Sequence, residues 1–220
     1  YFENIYGENQ DNRTQRVLAK ADPFTVDYLQ DIEAHIFHLG SLLADDFSLE
    51  VVKYLSGKGK LSIDSQGYLR EVRGTDVFAV DWQQKHEFLK YATFLKANEQ
   101  EMYSLTGYND VEKAAKELHS WGVKEVLLTL GSNGSVIYDG EQFHLIPAYK
   151  PTEIVDATGC GDTYMTGYLY CRAKNKSIDE AGRFAAAIST LKIEAMGPFA
   201  GTRADIERCM QEAEQTFPSL

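Results

Sequence analysis

The fold of this chain is decided by one segment, Val155-Asp156-Ala157-Thr158-Gly159-Cys160-Gly161-Asp162-Thr163, which leads into a stretch of helical spacing over residues 164–170. Glycine permits positive φ angles and close backbone approach, so residues 159–161 can turn sharply. A helix that starts at such a turn offers unpaired N–H donors and the positive end of its dipole. The segment therefore predicts an anion site, and phosphate is the commonest biological anion.

An acid, Asp162, follows this predicted anion site directly. A carboxylate beside a bound phosphate can take the proton from a hydroxyl group that attacks the phosphorus. A second interpretation is open, in which Asp162 is an ordinary helix N-cap. The local spacing favours the catalytic interpretation, because an acid at an anion site is unusual unless it takes part in the chemistry.

The same residues resemble the C-terminal signature of the ribokinase-like (PfkB) carbohydrate kinases, which reads Asp-Thr-x-Gly-Ala-Gly-Asp. This chain departs from the signature at Ala157, where Thr is usual, and at Cys160, where Ala is usual. Both residues are small and leave room for the loop. The resemblance implies that Asp162 is the catalytic base, with an anion hole formed by Gly159, Cys160 and Gly161.

The resemblance also implies ATP and Mg²⁺ as cofactors. In several relatives a monovalent cation such as K⁺ binds next to the anion hole, and Asp156 and Thr158 would help to hold it here. The requirement for that cation stays open, because loop carbonyls supply the other ligands.

Alternating predicted strands and helices indicate a parallel sheet covered on both faces. The predicted strands are 36–39, 61–64, 77–80, 94–97, 126–130, 135–138 and 142–146. The predicted helices are 25–32, 47–55, 84–91, 111–121, the segment after 159, the segment after 177, and 202–215. We expect a single ribokinase-like α/β domain over residues 1–220, a three-layer α/β/α fold with a mostly parallel central sheet and remnants of a small β lid.

The first twenty residues read as extended segments, Tyr1–Tyr6 and Arg16–Ala19, around a polar turn at 7–12. In the resembled family such strands belong to a small sheet that covers the sugar, although an ordinary surface hairpin fits the pattern equally well. Because Tyr1 already lies in a predicted strand, we expect an N-terminal portion of the fold to be missing. A homodimer formed through the lid strands is also open.

Polar side chains follow the predicted strand 61–64, at Asp64, Gln66 and Arg70. Open α/β sheets bind ligands at the carboxyl ends of their strands. Similar Gln-Gly-Tyr-Leu-Arg runs occur in some members of the resembled family, which implies a substrate-binding role. A solvated polar turn is the equally open alternative.

Two further motifs follow predicted strands. Asn98 and Glu101 have the spacing of one helix face, where a carboxylate can hold Mg²⁺ directly or through water, or merely cap the helix. Thr129, Gly131 and Gly134 resemble the turn of the family that lies along the nucleotide, although the same residues also suit a hairpin. All five are predicted to bind the nucleotide and its metal.

Composition excludes several classes of function. A net charge of −11 over 220 residues argues against nucleic acid or an anionic membrane as a partner. No apolar run reaches the roughly 20 residues of a membrane span. Three cysteines without paired spacing fit a reducing, cytoplasmic location.

The sequence therefore predicts a kinase that transfers the γ-phosphoryl group of ATP to a hydroxyl of a small sugar, nucleoside or related polyol. The alternative is a catalytically silent nucleotide- or sugar-binding regulatory protein of the same fold. An intact Asp162 favours the enzyme, since a pure binder gains little from an acid beside bound phosphate.

Overall fold

The computed structural model describes the backbone of residues 1–6 and 13–216 and the side chains of residues 1–3 and 15–212. The polar turn predicted at residues 7–12 lies outside the described residues. No helix within the described ranges is both long and apolar enough to cross a membrane.

The strands of the described residues form two separate sheets. In chain order they are β1 (Phe2–Tyr6), β2 (Arg13–Val17), β3 (Ile36–Leu39), β4 (Lys60–Asp64), β5 (Arg70–Arg73), β6 (Asp76–Ala79), β7 (Phe94–Asn98), β8 (Glu125–Thr129), β9 (Ser135–Tyr138) and β10 (Phe143–Ile146).

The α-helices of the described residues lie between and after these strands. They are α1 (Val26–Leu29), α2 (Leu49–Ser56), α3 (Lys85–Leu89), α4 (Glu99–Thr106), α5 (Val111–Ser120), α6 (Cys160–Ala173), α7 (Ile178–Ile193) and α8 (Arg203–Thr216).

The larger sheet has six strands in the order β10-β9-β8-β7-β4-β3. Strands β3, β4, β7 and β8 are parallel, while β9 and β10 are antiparallel to their neighbours. Val126, Leu127 and Leu128 of β8 form an apolar run that is completely buried, as expected for a parallel strand covered on both faces. The prediction of a mostly parallel central sheet is confirmed.

Helices cover both faces of this sheet. One apolar cluster joins α2, α3, α4 and α5 to the sheet, and a second cluster joins α6, α7 and α8 to the opposite face. This is the predicted three-layer α/β/α arrangement.

The smaller sheet has the order β1-β2-β6-β5, with antiparallel pairing throughout. The strand predicted at 77–80 is β6 of this sheet. Strand β5 was not predicted, because its sequence Arg-Glu-Val-Arg is mostly charged and directly follows the turn assigned to substrate binding.

The helix predicted at 25–32 is wrong in its length, since α1 is a single turn that ends at Leu29. Thr25 occupies the N-cap position but makes no side-chain capping bond there. Leu29 is the buried residue of this turn and Ile32 is 46% exposed, so the segment has too little apolar surface to extend the helix.

Helices α6 and α7 pack very closely, and this packing positions the start of α6. A Cβ atom at Gly167 would lie 2.8 Å from Ile188 Cγ2 and 3.1 Å from the Cα of Ala185. The small residues predicted to allow close packing, Ala185, Ala186 and Ala187, are all buried in α7. Glycine at 167 is therefore needed for this contact.

Candidate active site

A cleft of about 940 Å³ opens where the carboxyl ends of β4, β7 and β8 meet the first turn of α6. Its wall includes every predicted site residue except Glu101 and Asp156, which lie just behind it. Two residues of the small sheet, Phe2 and Gln15, also line this cleft. The structure thus brings together motifs that are far apart in sequence.

The turn before α6 uses its two glycines in different ways. Gly159 is the N-cap and has a left-handed backbone with a φ of 78°. Gly161 has a helical backbone, but a Cβ atom there would lie 3.2 Å from Nζ of Lys96. The first glycine is required for its conformation and the second for the close approach of a lysine.

Asp162 is the third residue of α6 and not its N-cap, so the capping interpretation of this residue is wrong. Its side chain is exposed. It lines the large cleft and also a smaller pocket of about 280 Å³, together with His38, Ser41, Asp64, Gln66 and other residues. Asp162 therefore stands at the junction of two cavities.

The amide groups around the turn are not equivalent. The N–H of Cys160 donates to the carbonyl of Ala157 at 3.2 Å, and the carbonyl of Cys160 accepts a bond from Ser189 Oγ at 3.2 Å. Burial raises the pKa of the Cys160 thiol. The Cys160 amide is thus engaged within the protein, so an anion hole in this conformation depends on Gly159 and Gly161.

A buried charge cluster lies beneath the cleft. Nζ of Lys96 is 3.1 Å from Asp64 Oδ2 and 3.6 Å from Glu101 Oε2, and all three side chains are less than a tenth exposed. Burial lowers the pKa of Lys96, but the carboxylates of Asp64 and Glu101 outweigh it, so the pKa is raised overall. Lys96 is therefore a charged ammonium group directly below Gly161.

Asp64 has a partner on each oxygen. Oδ1 accepts the N–H of Gln66 at 2.9 Å, and Oδ2 accepts the ammonium of Lys96. Gln66, directly after β4, and Arg70, the first residue of β5, both line the cleft. Asp64 thereby fixes the start of the turn between these two predicted substrate residues.

Asn98 and Glu101 form a capping box at the start of α4. Glu101 N–H donates to Asn98 Oδ1 at 2.8 Å, and Glu101 accepts bonds from the backbone and side-chain nitrogens of Asn98, both at 2.9 Å. Burial raises the pKa of Glu101, although the charge of Lys96 acts against it. The capping alternative is thus present in the structure, and the role in Mg²⁺ binding stays a prediction.

The segment of residues 156–161, named here the 156–161 loop, is held by α7. Asp156 Oδ1 accepts the N–H of Thr158 at 2.9 Å, while Nζ of Lys192 donates to Asp156 Oδ2 at 3.1 Å and to its carbonyl at 2.8 Å. The hydrogen bond from Thr158, followed by that from Lys192, lowers the pKa of Asp156 to about 2. Asp156 is therefore ionised and paired with a buried lysine.

The other end of the cleft has room for a larger and less polar group. Gly131 begins a single 3-10 turn, Gly131–Asn133, and the N–H of Leu130 bonds to the carbonyl of Gly134 at 2.8 Å. The opposite wall is largely apolar and contains Ala148, Tyr149, Ile154, Ala186 and Ile193.

The residues at or beside the cleft that were not predicted include His38, Lys96 and Lys192. His38 Nδ1 is 2.9 Å from Ser62 Oγ, and its ring lines the smaller pocket. Burial lowers the pKa of His38. Lys96 could have been recognised from the sequence, because it lies within an apolar strand and a buried lysine requires charged partners.

Comparisons with known proteins agree with this fold. The model of the pfkB family of carbohydrate kinases matches residues 64–204. A cytidine kinase of Thermococcus kodakarensis is 31% identical over 165 residues, which are 73% of this chain and 55% of that kinase. The chain thus spans about half the length of this curated relative.

Two solved structures of pyrophosphate-dependent kinases in the ribokinase family are also similar. One, a sulfate complex, has a TM-score of 0.83 at 32% identity and covers 94% of this chain and 72% of its own. The other, complexed with a pyrophosphate analog and myo-inositol, has a TM-score of 0.80 at 31% identity and covers 89% and 70%. The fold is ribokinase-like, and the chain belongs to the pfkB family of carbohydrate kinases.

Proposed function

We propose that this protein is a kinase that transfers the γ-phosphoryl group of ATP to a hydroxyl of a sugar, nucleoside or related polyol. The observation that carries the proposal is the position of Asp162, an exposed acid in the first turn of α6 between the two cavities. An acid there reaches an acceptor in the smaller pocket and a phosphate in the larger one.

In the reaction, Asp162 takes the proton of the acceptor hydroxyl, and the oxygen of that hydroxyl attacks the γ-phosphorus. The bond to the β-phosphate oxygen breaks, ADP leaves, and the phosphate ester remains. The amides of Gly159 and Gly161 and the positive end of α6 stabilise the migrating charge, and an anion-hole donor contributes about 3 kcal/mol. Lys96, below Gly161, adds a positive charge to this region.

Bound Mg²⁺ supplies charge neutralisation at the donor phosphates. Within the described residues, no three His, Cys, Asp or Glu side chains are grouped to hold a metal. Mg²⁺ commonly binds through waters, substrate phosphates and one or two carboxylates, so this donor set suits it. Glu101, whose oxygens face Asn98, Ser65 and Lys96, fits contact through a water better than direct coordination.

The acceptor is an uncharged hydroxyl compound. The residues lining the smaller pocket include neither Lys nor Arg, whereas a sugar phosphate requires cations for its dianion. Cytidine and myo-inositol, which the names of two of the similar proteins mention, are uncharged hydroxyl compounds, although another relative is named a 1-phosphofructokinase. A tenfold preference for a phosphorylated acceptor would contradict this assignment.

Pyrophosphate is the second candidate donor, because the two similar solved structures are of pyrophosphate-dependent kinases. The apolar wall of the cleft favours ATP, since pyrophosphate has no base to cover it. Turnover with ATP, GTP and pyrophosphate, each combined with a panel of free sugars, nucleosides and inositols, separates the two donors.

Exposed apolar side chains lie in the small sheet, at Phe78, and directly beside its strands, at Tyr1 and Leu18. A homodimer formed through these lid strands stays a prediction, and the mass of the protein in solution measures it.

The Asp162→Asn variant tests the proposed base. We expect kcat to fall by about 10²–10⁴-fold, while the dissociation constant of the donor changes by less than about threefold. Asp27→Asn is the matched control, because Asp27 is an exposed acid in the first turn of α1. If Asp162→Asn keeps more than about a tenth of the wild-type kcat, Asp162 is not the base. Donor binding without turnover on any acceptor, in the wild-type protein, would favour the regulatory alternative.

A further inference from the structure

Lys192 is the most buried cation near the site, with 2% of the residue exposed. It lies in the last turn of α7, where a positive charge also suits the helix dipole. A buried ammonium group persists when its hydrogen bonds are satisfied by oxygen. Two such oxygens belong to one residue, the carbonyl and Oδ2 of Asp156.

These two oxygens belong to Asp156, which the family resemblance predicts as a ligand of a monovalent cation. An ammonium group and K⁺ have the same charge and similar size, and both bind oxygen. Because Nζ of Lys192 already contacts the carbonyl oxygen and Oδ2 of Asp156, the residues present do not fit an additional cation there. The expectation of K⁺ at Asp156 and Thr158 therefore disagrees with the geometry.

The same end of α7 makes three more contacts, one to Val155 and two to the 156–161 loop. The carbonyl of Ile193 accepts the N–H groups of Val155 and Asp156 at 2.8 and 3.1 Å, and Ser189 Oγ donates to the carbonyl of Cys160. Lys192 supplies the charge in this arrangement, and the 156–161 loop supplies the amides of the anion hole.

We propose that Lys192 is a built-in replacement for the monovalent cation: its ammonium group positions the 156–161 loop, and the protein works without K⁺. Lys192 is a positioning residue, since it acts through Asp156 and not on the substrate. The part of the proposal that concerns turnover rests on the proposed kinase function, whereas the part that concerns the loop does not.

The first test measures the melting temperature, which is independent of turnover. Wild type, Lys192→Ala and Lys192→Met are melted in chloride salts of K⁺, NH₄⁺ or tetramethylammonium at one ionic strength of about 0.1 M. We expect wild type to shift by less than about 2 °C between salts, because no cation site is open. Lys192→Ala should melt about 5 °C lower or more in tetramethylammonium, which is too large to enter, and regain at least about half of the loss in K⁺ or NH₄⁺.

Lys192→Met separates the effect of charge from the effect of size, because the Met side chain has a similar length but carries no charge. We expect it to melt as low as Lys192→Ala and to gain nothing from K⁺. Lys176→Ala is the matched control, since it removes an exposed ion pair with Glu180 before the same helix. Its melting temperature should change by less than about 2 °C in every salt.

Two results would overturn the proposal. The first is a wild-type protein that K⁺ stabilises by more than about 2 °C over tetramethylammonium, which reveals an open cation site. The second is a folded Lys192→Ala variant that neither K⁺ nor NH₄⁺ stabilises. If Lys192→Ala does not fold in any salt, the wild-type comparison decides alone.

The second test measures turnover under the same salts. We expect wild-type kcat to differ by less than about twofold between K⁺ and tetramethylammonium. Lys192→Ala should lose about 10²-fold, as for a lost anion-hole donor, and recover at least about tenfold with K⁺ or NH₄⁺. Activation of the wild type by about fivefold or more in K⁺ contradicts the proposal. If no acceptor is phosphorylated in any salt, the proposed function fails and the melting data still decide the role of Lys192.

Discussion

Gly159 and Gly161 differ at the scale of single residues, although both belong to one motif. Gly159 has a φ of 78° and open space where a Cβ would stand. Gly161 has a helical backbone, and Lys96 fills the space beside it. Because Lys96 is held between two buried carboxylates, it has little freedom to move away.

This difference predicts opposite orders of tolerance at the two positions. At 159, Asn should be less harmful than Ala, since Asn adopts the left-handed region at lower cost and Ala there loses about 1 kcal/mol. At 161, Ala should be less harmful than Asn, because size decides and overpacking costs about 1–3 kcal/mol. Denaturant unfolding of the four variants measures both orders. The same order at both positions would show that Lys96 does not limit the space at Gly161.

The pKa of Asp156 predicts an acid dependence of stability. The hydrogen bond from Thr158, with Lys192 second, lowers this pKa from 3.8 to about 2. A lowered carboxyl pKa contributes stability that is fully present above the unfolded value and is lost as the pH falls through the folded value. The difference in unfolding free energy between wild type and Asp156→Asn should therefore be constant above a pH of 3.8 and shrink toward a pH of 2. A difference that does not change with pH contradicts this account.

The sequence identified some of these residues and missed others for a physical reason. Asp162 and its glycines were predicted because the whole motif lies within a few consecutive residues. Lys96 and Asp64 are 32 positions apart, and Lys192 and Asp156 are 36 positions apart. Neither pair shows a local spacing, so the fold alone reveals that these charges meet.

At the scale of elements, α6 is fixed at both ends. Its first turn forms the site, and near its last turn Arg172 contacts both oxygens of Glu125 in β8, at 2.5 and 3.1 Å. The hydroxyl of Tyr168 donates to Glu125 Oε2 at 2.5 Å. This ion pair is the part of the α6 scaffold farthest from Asp162, about 15 Å along the helix.

Arg172→Met should therefore lower stability without changing the chemistry. Removing one partner leaves the carboxylate of Glu125 poorly paired, and because Arg172 is 21% exposed we expect a loss of about 2–3 kcal/mol. Arg203→Met is the control, since its ion pair with Glu207 is exposed and screened by solvent, so we expect a much smaller change in stability. Denaturant unfolding gives both values. A kcat for Arg172→Met that falls more than about tenfold well below its melting temperature would show that the far end of α6 controls the site.

Elements with a strong apolar pattern were predicted well. The four parallel strands of the central sheet contain apolar residues with many buried side chains, and these strands were recognised with bounds correct to about one residue. Strand β5 and the short helix α1 bury few side chains, so the pattern is weak in both. The small sheet could not be predicted in full from local patterns, because it is formed by pairing between distant segments, such as Arg16 with Asp76.

At the scale of the whole molecule, the cleft is formed by parts that no single segment contains. The small sheet, three strand ends of the central sheet and the start of α6 all border it. The buried charge cluster lies where the loop after β4 and the start of α4 meet. Lys96 therefore contacts one predicted acceptor residue, Asp64, and one predicted donor residue, Glu101.

The contact of Lys96 with both Asp64 and Glu101 implies thermodynamic linkage between the two ligands. Any shift of Lys96 toward one carboxylate weakens its attraction to the other carboxylate. Binding of the acceptor therefore changes the affinity for the donor, and by reciprocity binding of the donor changes the affinity for the acceptor by the same factor. We expect the dissociation constant of a non-hydrolysable donor analogue to change by about fivefold or more when the acceptor is present. Lys96→Met should reduce this ratio to about one, and calorimetric titration of both proteins measures it. Independent binding in the wild type would mean that the lysine joins the two halves of the cleft mechanically, with no cooperativity between them.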